Sequence, residues 1–197
     1  VQGARHALEP DHVTAVATVM VEAPSPRRGI FYAACWGLGH ASMLIFVAGP
    51  LVVLRVELPD LVSTILELCV GAMLVWLGVR TLRGARSAAP SHAGTSTPLL
   101  VRGRRPFVIG VMHGLAGSGA LAALIALGSP TIATGLACLA LYAFGTVIGM
   151  VALALAAGPV LAQTKRLPKV APMLAQVAGA VSIVVGVVWV WRTLASV

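Results

Sequence analysis

The stretch RHALEPDHVTAV occupies residues 5–16 and opens a segment that continues apolar to Val21. Its first eight residues include five ionisable side chains, among them His6, Asp11 and His12. Only 10% of the 197 residues are Asp, Glu, Lys or Arg, so this concentration is unusual for the chain. Ionisable groups in an apolar segment are rare, and they are usually paired or part of a functional site.

The composition is that of an integral membrane protein. Apolar residues make up 58% of the chain, and the mean hydropathy is +0.95. Most of the 14 Lys and Arg residues stand in short stretches between apolar segments, where basic residues set topology. The net charge of +8 therefore does not indicate nucleic acid as a partner. We expect the partners to be the lipid bilayer and a small substrate.

Six stretches are long and apolar enough to cross a bilayer, which takes about 20 residues each. They lie at 2–22, 30–54, 59–82, 106–128, 132–161 and 168–194. We therefore expect an all-α, polytopic membrane protein with six transmembrane helices. The first stretch is expected to belong to the fold. It differs from a signal peptide because it carries acidic residues and no small-residue cleavage motif follows it.

The basic residues predict the orientation. Eleven of the 14 Lys and Arg residues lie in or beside the loops 23–29, 83–105 and 162–168. By the positive-inside rule these loops are cytoplasmic, and both termini face outward across the inner (plasma) membrane. Residues 84–105, rich in Ser, Pro, Gly and Arg, predict a flexible cytoplasmic linker between two halves, 1–83 and 106–197.

The two halves resemble each other in sequence. GARHALEPDHVTAVATVM (3–20) and GVMHGLAGSGALAALIAL (110–127) share G-x-x-H-[A/G]-L at a constant offset of 107, which aligns His6 with His113. Two further pairs match with a one-residue gap each: 31–50 with 141–159, and 75–82 with 188–194. Because a unit of three spans ends on the opposite side from its start, its copy must run the other way. This predicts a 3+3 inverted repeat with the substrate site near the midplane.

Both first helices are expected to be broken beside their histidines. Pro10 lacks the amide that would bond the carbonyl of His6 in a continuous helix. Glycines at 114, 117 and 119 are expected to loosen the corresponding helix of the second half. A regular helix turns about 100° per residue, so the polar groups of residues 6–12 would point in different directions without a break. The break would let them face one cavity.

We expect His6, Asp11, His12 and His40 to bind a divalent metal ion. Each ionisable group near the bilayer centre costs roughly 2.5–3.5 kcal/mol on insertion, and a bound cation would offset this cost. Imidazole with carboxylate is a ligand set suited to Ni, Co, Zn or Fe. His40, about ten residues into the second span, lies at a depth similar to that of His12 but measured from the other side.

Four further residues are expected to line a substrate pathway: Glu9, Glu67, His113 and Ser118. Each also has a structural interpretation. Glu9 is then part of the unwound turn, and His113 and Ser118 pack between helices. The carboxylate of Glu67 would accept a hydrogen bond from Ser63 or Thr64, one turn earlier.

The motif H-x-x-x-x-D-H in residues 6–12, followed by LGHASM (38–43) and HGLAGSGAL (113–121), resembles the nickel/cobalt transporter family (NiCoT/NicO). The resemblance covers essentially all six spans and is closest to the urease-accessory-type nickel permease branch. It implies transport of Ni²⁺, or Co²⁺, with the four predicted ligands in the family's metal positions. Family importers commonly carry Asp-Ala-Asp-His where this chain has residues 9–12, EPDH. The efflux branch carries a long His-rich loop, whereas 83–105 contains only His92.

The functional hypothesis is uptake of Ni²⁺ or Co²⁺ by a secondary permease. No G-x-x-x-x-G-K-[ST] loop for ATP occurs in the sequence. The alternatives are a metal efflux permease and a membrane nickel-binding accessory protein for urease or hydrogenase maturation. We expect no enzymatic activity, because the ionisable groups lack a paired nucleophile and base. We also expect no cofactor, since the metal is the substrate. The composition is compatible with a homo-oligomer.

Overall fold

The computed structural model describes residues 2–23, 25–86, 99–164, 167 and 170–196, and no strand occurs among them. The elements are α1 (Gln2–His6), α2 (Pro10–Glu22), α3 (Pro26–Met43), a π-helical turn (Leu44–Ala48), α4 (Gly49–Leu54), α5 (Asp60–Arg86), α6 (Leu99–Gly128), α7 (Ile132–Thr164) and α8 (Val170–Ala195). The expected all-α class is confirmed. The helices begin and end within about one turn of the bounds of the six predicted apolar stretches, except that α6 begins at Leu99 and not near residue 106.

Four helices of the described chain are long and apolar enough to cross a membrane. They are Pro26–Leu54, which joins α3 to α4, and Asp60–Ala85, Ile132–Gln163 and Val170–Ala195. Large apolar side chains on their outer faces are mostly exposed, such as Phe46 at 75% and Trp191 at 73%. Apolar surface of this extent requires a lipid environment. The chain is therefore a helical membrane protein.

The expected break in the first helical segment is present at residues 7–9. Two backbone hydrogen bonds between residues three apart follow the end of α1. Leu8 N donates to Arg5 O, and Glu9 N donates to His6 O. Glu9 is extended, and Pro10 starts α2. Proline fits this position because the first amides of a helix have no intrahelical partner. The chain therefore changes direction between His6 and Asp11.

The expected break in the second half is wrong, because α6 runs without interruption from Leu99 to Gly128. Glycine keeps its backbone amide, so it preserves the helical hydrogen bond at a cost of about 1 kcal/mol relative to alanine. Gly114 instead allows a close helix contact. A Cβ atom there would lie 2.7 Å from the carbonyl oxygen of His40 on α3.

Two pairs of helices run parallel and in close contact. In the first pair, Trp36 of α3 lies against Gly110 of α6, and a Cβ at Gly110 would overlap the Trp36 carbonyl oxygen. In the second pair, α1 runs along α7, with Gly3 against Tyr142 and Ala7 against Gly149. Small residues at these crossings let the backbones approach closely, as is typical of helix pairs in membranes.

The longest contact joins α5 to α8, which run antiparallel. Gly71 lies against Gly186, and Gly78 lies against Gly179. Any Cβ atom at these four positions would come within about 3 Å of a carbonyl oxygen on the facing helix. The hydroxyl of Ser182 on α8 also donates to the carbonyl oxygen of Leu74 on α5, at 2.8 Å. Glycine at these positions therefore sets the helix spacing.

The predicted linker is shorter at both ends than expected. The α5 helix continues to Arg86 and α6 begins at Leu99, so both helices extend into 84–105. Residues 87–98, with His92 among them, lie outside the described part of the chain. The flexible character of the linker and the boundaries of the two halves stay predictions.

Gly78→Val is expected to destabilise the α5–α8 contact, because an added side chain would overlap the Gly179 carbonyl oxygen. Overpacking of this kind typically costs about 1–3 kcal/mol. The measurement is the thermal unfolding midpoint of the detergent-purified protein, followed by tryptophan fluorescence. Gly84→Val on the same helix is the matched control, since no atom lies within 4 Å of its Cβ position. An equal loss in both variants would contradict this packing.

Candidate metal centre

Five polar side chains of the described chain converge inside the helix bundle. They are His6 of α1, Asp11 and His12 of α2, His40 of α3 and His113 of α6. All five are buried, and the most accessible, His6, is 9% exposed. The break between α1 and α2 brings the rings of His6 and His12 to a centroid distance of 4.3 Å. We call these five residues the buried cluster.

The buried cluster contains two overlapping groups of three potential ligands. His6, His12 and His40 form one, and Asp11, His12 and His113 form the other. Within each group the donor atoms all lie within 4.8 Å of one another. Two nitrogens bound to one ion at about 2.1 Å lie at most about 4.2 Å apart, so shifts of less than about 1 Å would complete either group.

Asp11 connects two imidazoles through one oxygen atom. The Nε2–H of His113 donates to Asp11 Oδ2 at 2.8 Å, because a carboxylate accepts hydrogen bonds. His12 Nδ1 lies 3.1 Å from the same oxygen. The other carboxylate oxygen, Oδ1, is buried and has no hydrogen-bond partner within the described residues. Asp11 therefore orients two rings and keeps one oxygen available.

Several ring nitrogens of the buried cluster have no hydrogen-bond partner in the described part of the protein. These are both nitrogens of His40, both nitrogens of His12, although Nδ1 lies close to Asp11, and Nδ1 of His113. A buried polar atom without a partner costs about 1–3 kcal/mol, and such atoms are rare in folded proteins. The unpaired nitrogens lie next to one another, which is the arrangement that a metal ion requires.

Aromatic side chains surround the buried cluster. The ring of Trp36, which is fully buried, contacts the ring of His113 edge-on at 5.3 Å. Tyr142 of α7 lies 5.4 Å from the ring of His6. These contacts pack the rings of His6 and His113 against aromatic side chains. Trp36 and Tyr142 were not among the predicted site residues. The position of Trp36 four residues before His40, on the same helix face, was the available signal.

The structure brings together all four predicted ligands and adds one residue. His113 was expected farther along the pathway, but it lies inside the buried cluster. Its alignment with His6 in the repeat was the signal for this position. The remaining pathway residues lie elsewhere or outside the described side chains.

Glu9 and Glu67 occupy different surroundings. The carboxylate of Glu9 is half-exposed and lies 3.0 Å from His6 Nδ1, at the edge of the buried cluster. Glu67 belongs to neither potential ligand group in the described chain, and its carboxylate accepts a hydrogen bond from Thr193 of α8 at 3.1 Å. The side chain of Ser118 lies outside the described part of the structure, so its role stays a prediction.

The chain is similar to the urease accessory protein UreH of Bacillus sp. (strain TB-90). The two sequences are 28% identical over 201 residues, which cover 98% of this chain and 88% of the relative. This similarity confirms the resemblance to the urease-accessory-type branch that the motifs indicate. No protein-family model matches the sequence, and no solved structure matches the chain.

Proposed function

We propose that this relative of a urease accessory protein is a secondary permease that carries Ni²⁺ into the cell, with Co²⁺ as the second candidate ion. The observation that carries the proposal is the burial of four imidazoles and one carboxylate with several donor atoms unpaired. His6, Asp11, His12 and His40 are the proposed ligands. His113 orients Asp11 and offers a further nitrogen.

The donor set favours a late first-row metal. Imidazole nitrogens with one carboxylate suit Ni²⁺ and Co²⁺, whereas Mg²⁺ and Ca²⁺ take oxygen ligands and Cu⁺ takes sulfur. None of the three cysteines belongs to either potential ligand group in the described chain. The resemblance to the urease-accessory branch supports nickel over cobalt.

We further propose that the chain forms six spans in a 3+3 inverted repeat. The repeat alignment pairs Gly39 with Gly149 and Val111 with Ala4. A Cβ at Gly39 would lie 3.0 Å from the backbone nitrogen of Val111, and a Cβ at Gly149 would lie 3.1 Å from the Cα of Ala4. The same contact is therefore made twice between equivalent positions, which supports duplication.

A cavity of about 660 Å³ lies beside α2, α5 and α6, and none of the five cluster residues is among the described residues that line it. Its inner residues include Thr18 and Ile109, and Ile109 lies one turn before His113 on α6. Its outer residues include Glu22, Arg80 and Arg105. The positive-inside rule assigns this basic end to the cytoplasm, so we propose the cavity as the exit route.

The membrane potential is sufficient to drive uptake in this scheme. Moving one charge across 100 mV is worth about 2.3 kcal/mol, and a divalent ion gains about twice that amount. The helix break matters here because it brings His6 of α1 into one potential ligand group with His12 and His40. Rocking of the two halves would then expose the site to each side in turn.

A second candidate function is a membrane protein that binds nickel without moving it. The name of the relative, an accessory protein of urease, favours this alternative. Export is the third alternative and differs from uptake only in direction.

The ligand assignment predicts large losses of Ni²⁺ affinity in His12→Ala and His40→Ala. Loss of a residue that only supports a ligand costs about 10- to 100-fold, so loss of a ligand is expected to cost roughly 100-fold or more. The larger effect is expected for His12, which belongs to both ligand groups. Isothermal titration of the detergent-purified protein with Ni²⁺ measures the affinities. His92→Ala is the matched control, and identical affinities in all variants would reject the assignment.

Pro10→Ala is expected to lower Ni²⁺ affinity roughly 10- to 100-fold, as does loss of groups that orient ligands. A continuous helix would place His6 and His12 about 120° apart around its axis. Helix content by circular dichroism should change little. Pro26→Ala, at the first turn of α3, is the matched control because Pro26 has the same helical position away from the cluster. Unchanged affinity in Pro10→Ala would mean that the break is not needed.

Transport is tested with radioactive Ni²⁺ in sealed proteoliposomes under an inside-negative potassium diffusion potential. A permease is expected to accumulate Ni²⁺ far above the amount of protein, and His12→Ala should abolish this accumulation. Stoichiometric capture without accumulation would identify a binding protein instead. In cells, a lower metal content on expression would identify an exporter.

A further inference from the structure

An open apolar groove of about 670 Å³ lies between α5 and α6, apart from the buried cluster. Its apolar floor is formed by Cys69, Met73 and Trp76 of α5 and by Val108 and Met112 of α6. Arg104 and Arg105 line the same groove. Neither the proposed transport nor the similarity to UreH gives this groove a role.

The groove follows one stripe of each helix. The lining residues 69, 73 and 76 of α5 recur at helical spacing, as do 101, 105, 108 and 112 of α6. From Arg104 to Met112 the groove extends about 12 Å along the axis, at 1.5 Å per residue. One leaflet supplies about half of the roughly 30 Å hydrocarbon thickness, so the groove spans most of one leaflet.

The two arginines make one end of the groove positively charged. Arg104 is exposed, and the described chain provides no hydrogen bond or ion pair for it. The guanidinium groups of Arg80 and Arg105 lie 5.9 and 5.6 Å from the ring centre of Trp76. The Glu22 carboxylate lies 3.7 Å from the guanidinium groups of Arg80 and Arg105. This single negative charge offsets only part of the positive charge of these arginines. A tryptophan beside arginines is typical of the membrane–water interface.

We propose that the groove binds an acidic phospholipid, with one acyl chain on the apolar floor and the phosphate at Arg104 and Arg105. A guanidinium group can donate two parallel hydrogen bonds to two oxygens of one phosphate, and the N–H donors of Arg104 are available for this. A net negative headgroup complements the uncompensated charge at this end, whereas a zwitterionic headgroup gains less. The site does not depend on nickel binding, so it stands or fails separately from the transport proposal.

The test is native mass spectrometry of the full chain in detergent with equimolar phosphatidylglycerol and phosphatidylcholine of identical acyl chains. We expect the parent protein to retain phosphatidylglycerol preferentially. Arg104→Gln is expected to lower that preference roughly fivefold, the effect of one basic residue at an anionic membrane surface. Arg83→Gln is the matched control, because Arg83 is also exposed near this end of α5 but does not line the groove.

A second variant separates the groove from a purely ionic attraction. Ala72→Trp fills the floor, where Ala72 lines the groove, and is expected to lower retention of both lipids. Ala140→Trp, at an exposed position of α7 away from the groove, should behave like the parent. Equal retention of the two lipids by the parent would overturn the proposal. Equal losses of phosphatidylglycerol preference in Arg104→Gln and Arg83→Gln would also overturn it. So would the finding that the parent is a lipid-free dimer and that Ala72→Trp disrupts this dimer.

Discussion

The hydrogen bond between Asp11 and His113 joins two distant segments of the chain in the buried interior. Its 2.8 Å length and the 4% exposure of Asp11 make it costly to break, because a single buried charge would remain. The bond requires that α2 and α6 meet in the interior, side by side with α3. The helix break before Pro10 and the glycine at 114 both serve this meeting. The break points the α2 ligands inward, and the glycine admits His40 next to His113.

The same arrangement explains why so many polar atoms can stay unpaired inside a helical membrane protein. Close glycine contacts along α3–α6 and α5–α8 hold the backbone in place without help from the cluster. The imidazoles therefore do not have to form hydrogen bonds with one another to hold the helices together. The stability that these contacts provide offsets the cost of burying polar atoms without partners, and the proposed transport would use those atoms to bind a divalent ion.

The sequence predicted the parts of this structure that depend on local chemistry. Proline lacks a backbone amide hydrogen wherever it stands, so the break before Pro10 could be predicted. Hydropathy predicted most helix ends but not the start of α6 at Leu99, which lies in a basic stretch. The effect of Gly114 depends on α3, which lies beside it. A prediction from the sequence of one helix alone therefore gave a helix break at a position where the structure has a close contact between two helices. His113 was placed too far along the pathway for the same reason, since its partner, Asp11, is 102 residues away. Glu67 also has a distant partner, Thr193, which no local pattern could identify.

The shortness of α1 has a consequence for how the protein evolves. A helix of five residues has no stability of its own, so the location of His6 is determined by α7, on which Gly3 and Ala7 rest. The α7 helix contributes no donor atom to the buried cluster in the described chain. Substitutions at Thr146 or Gly149 would therefore change the spacing between the imidazoles of His6 and His12 while leaving every proposed ligand intact. Under the proposed function, selectivity for ion size can then change through positions that are not proposed ligands.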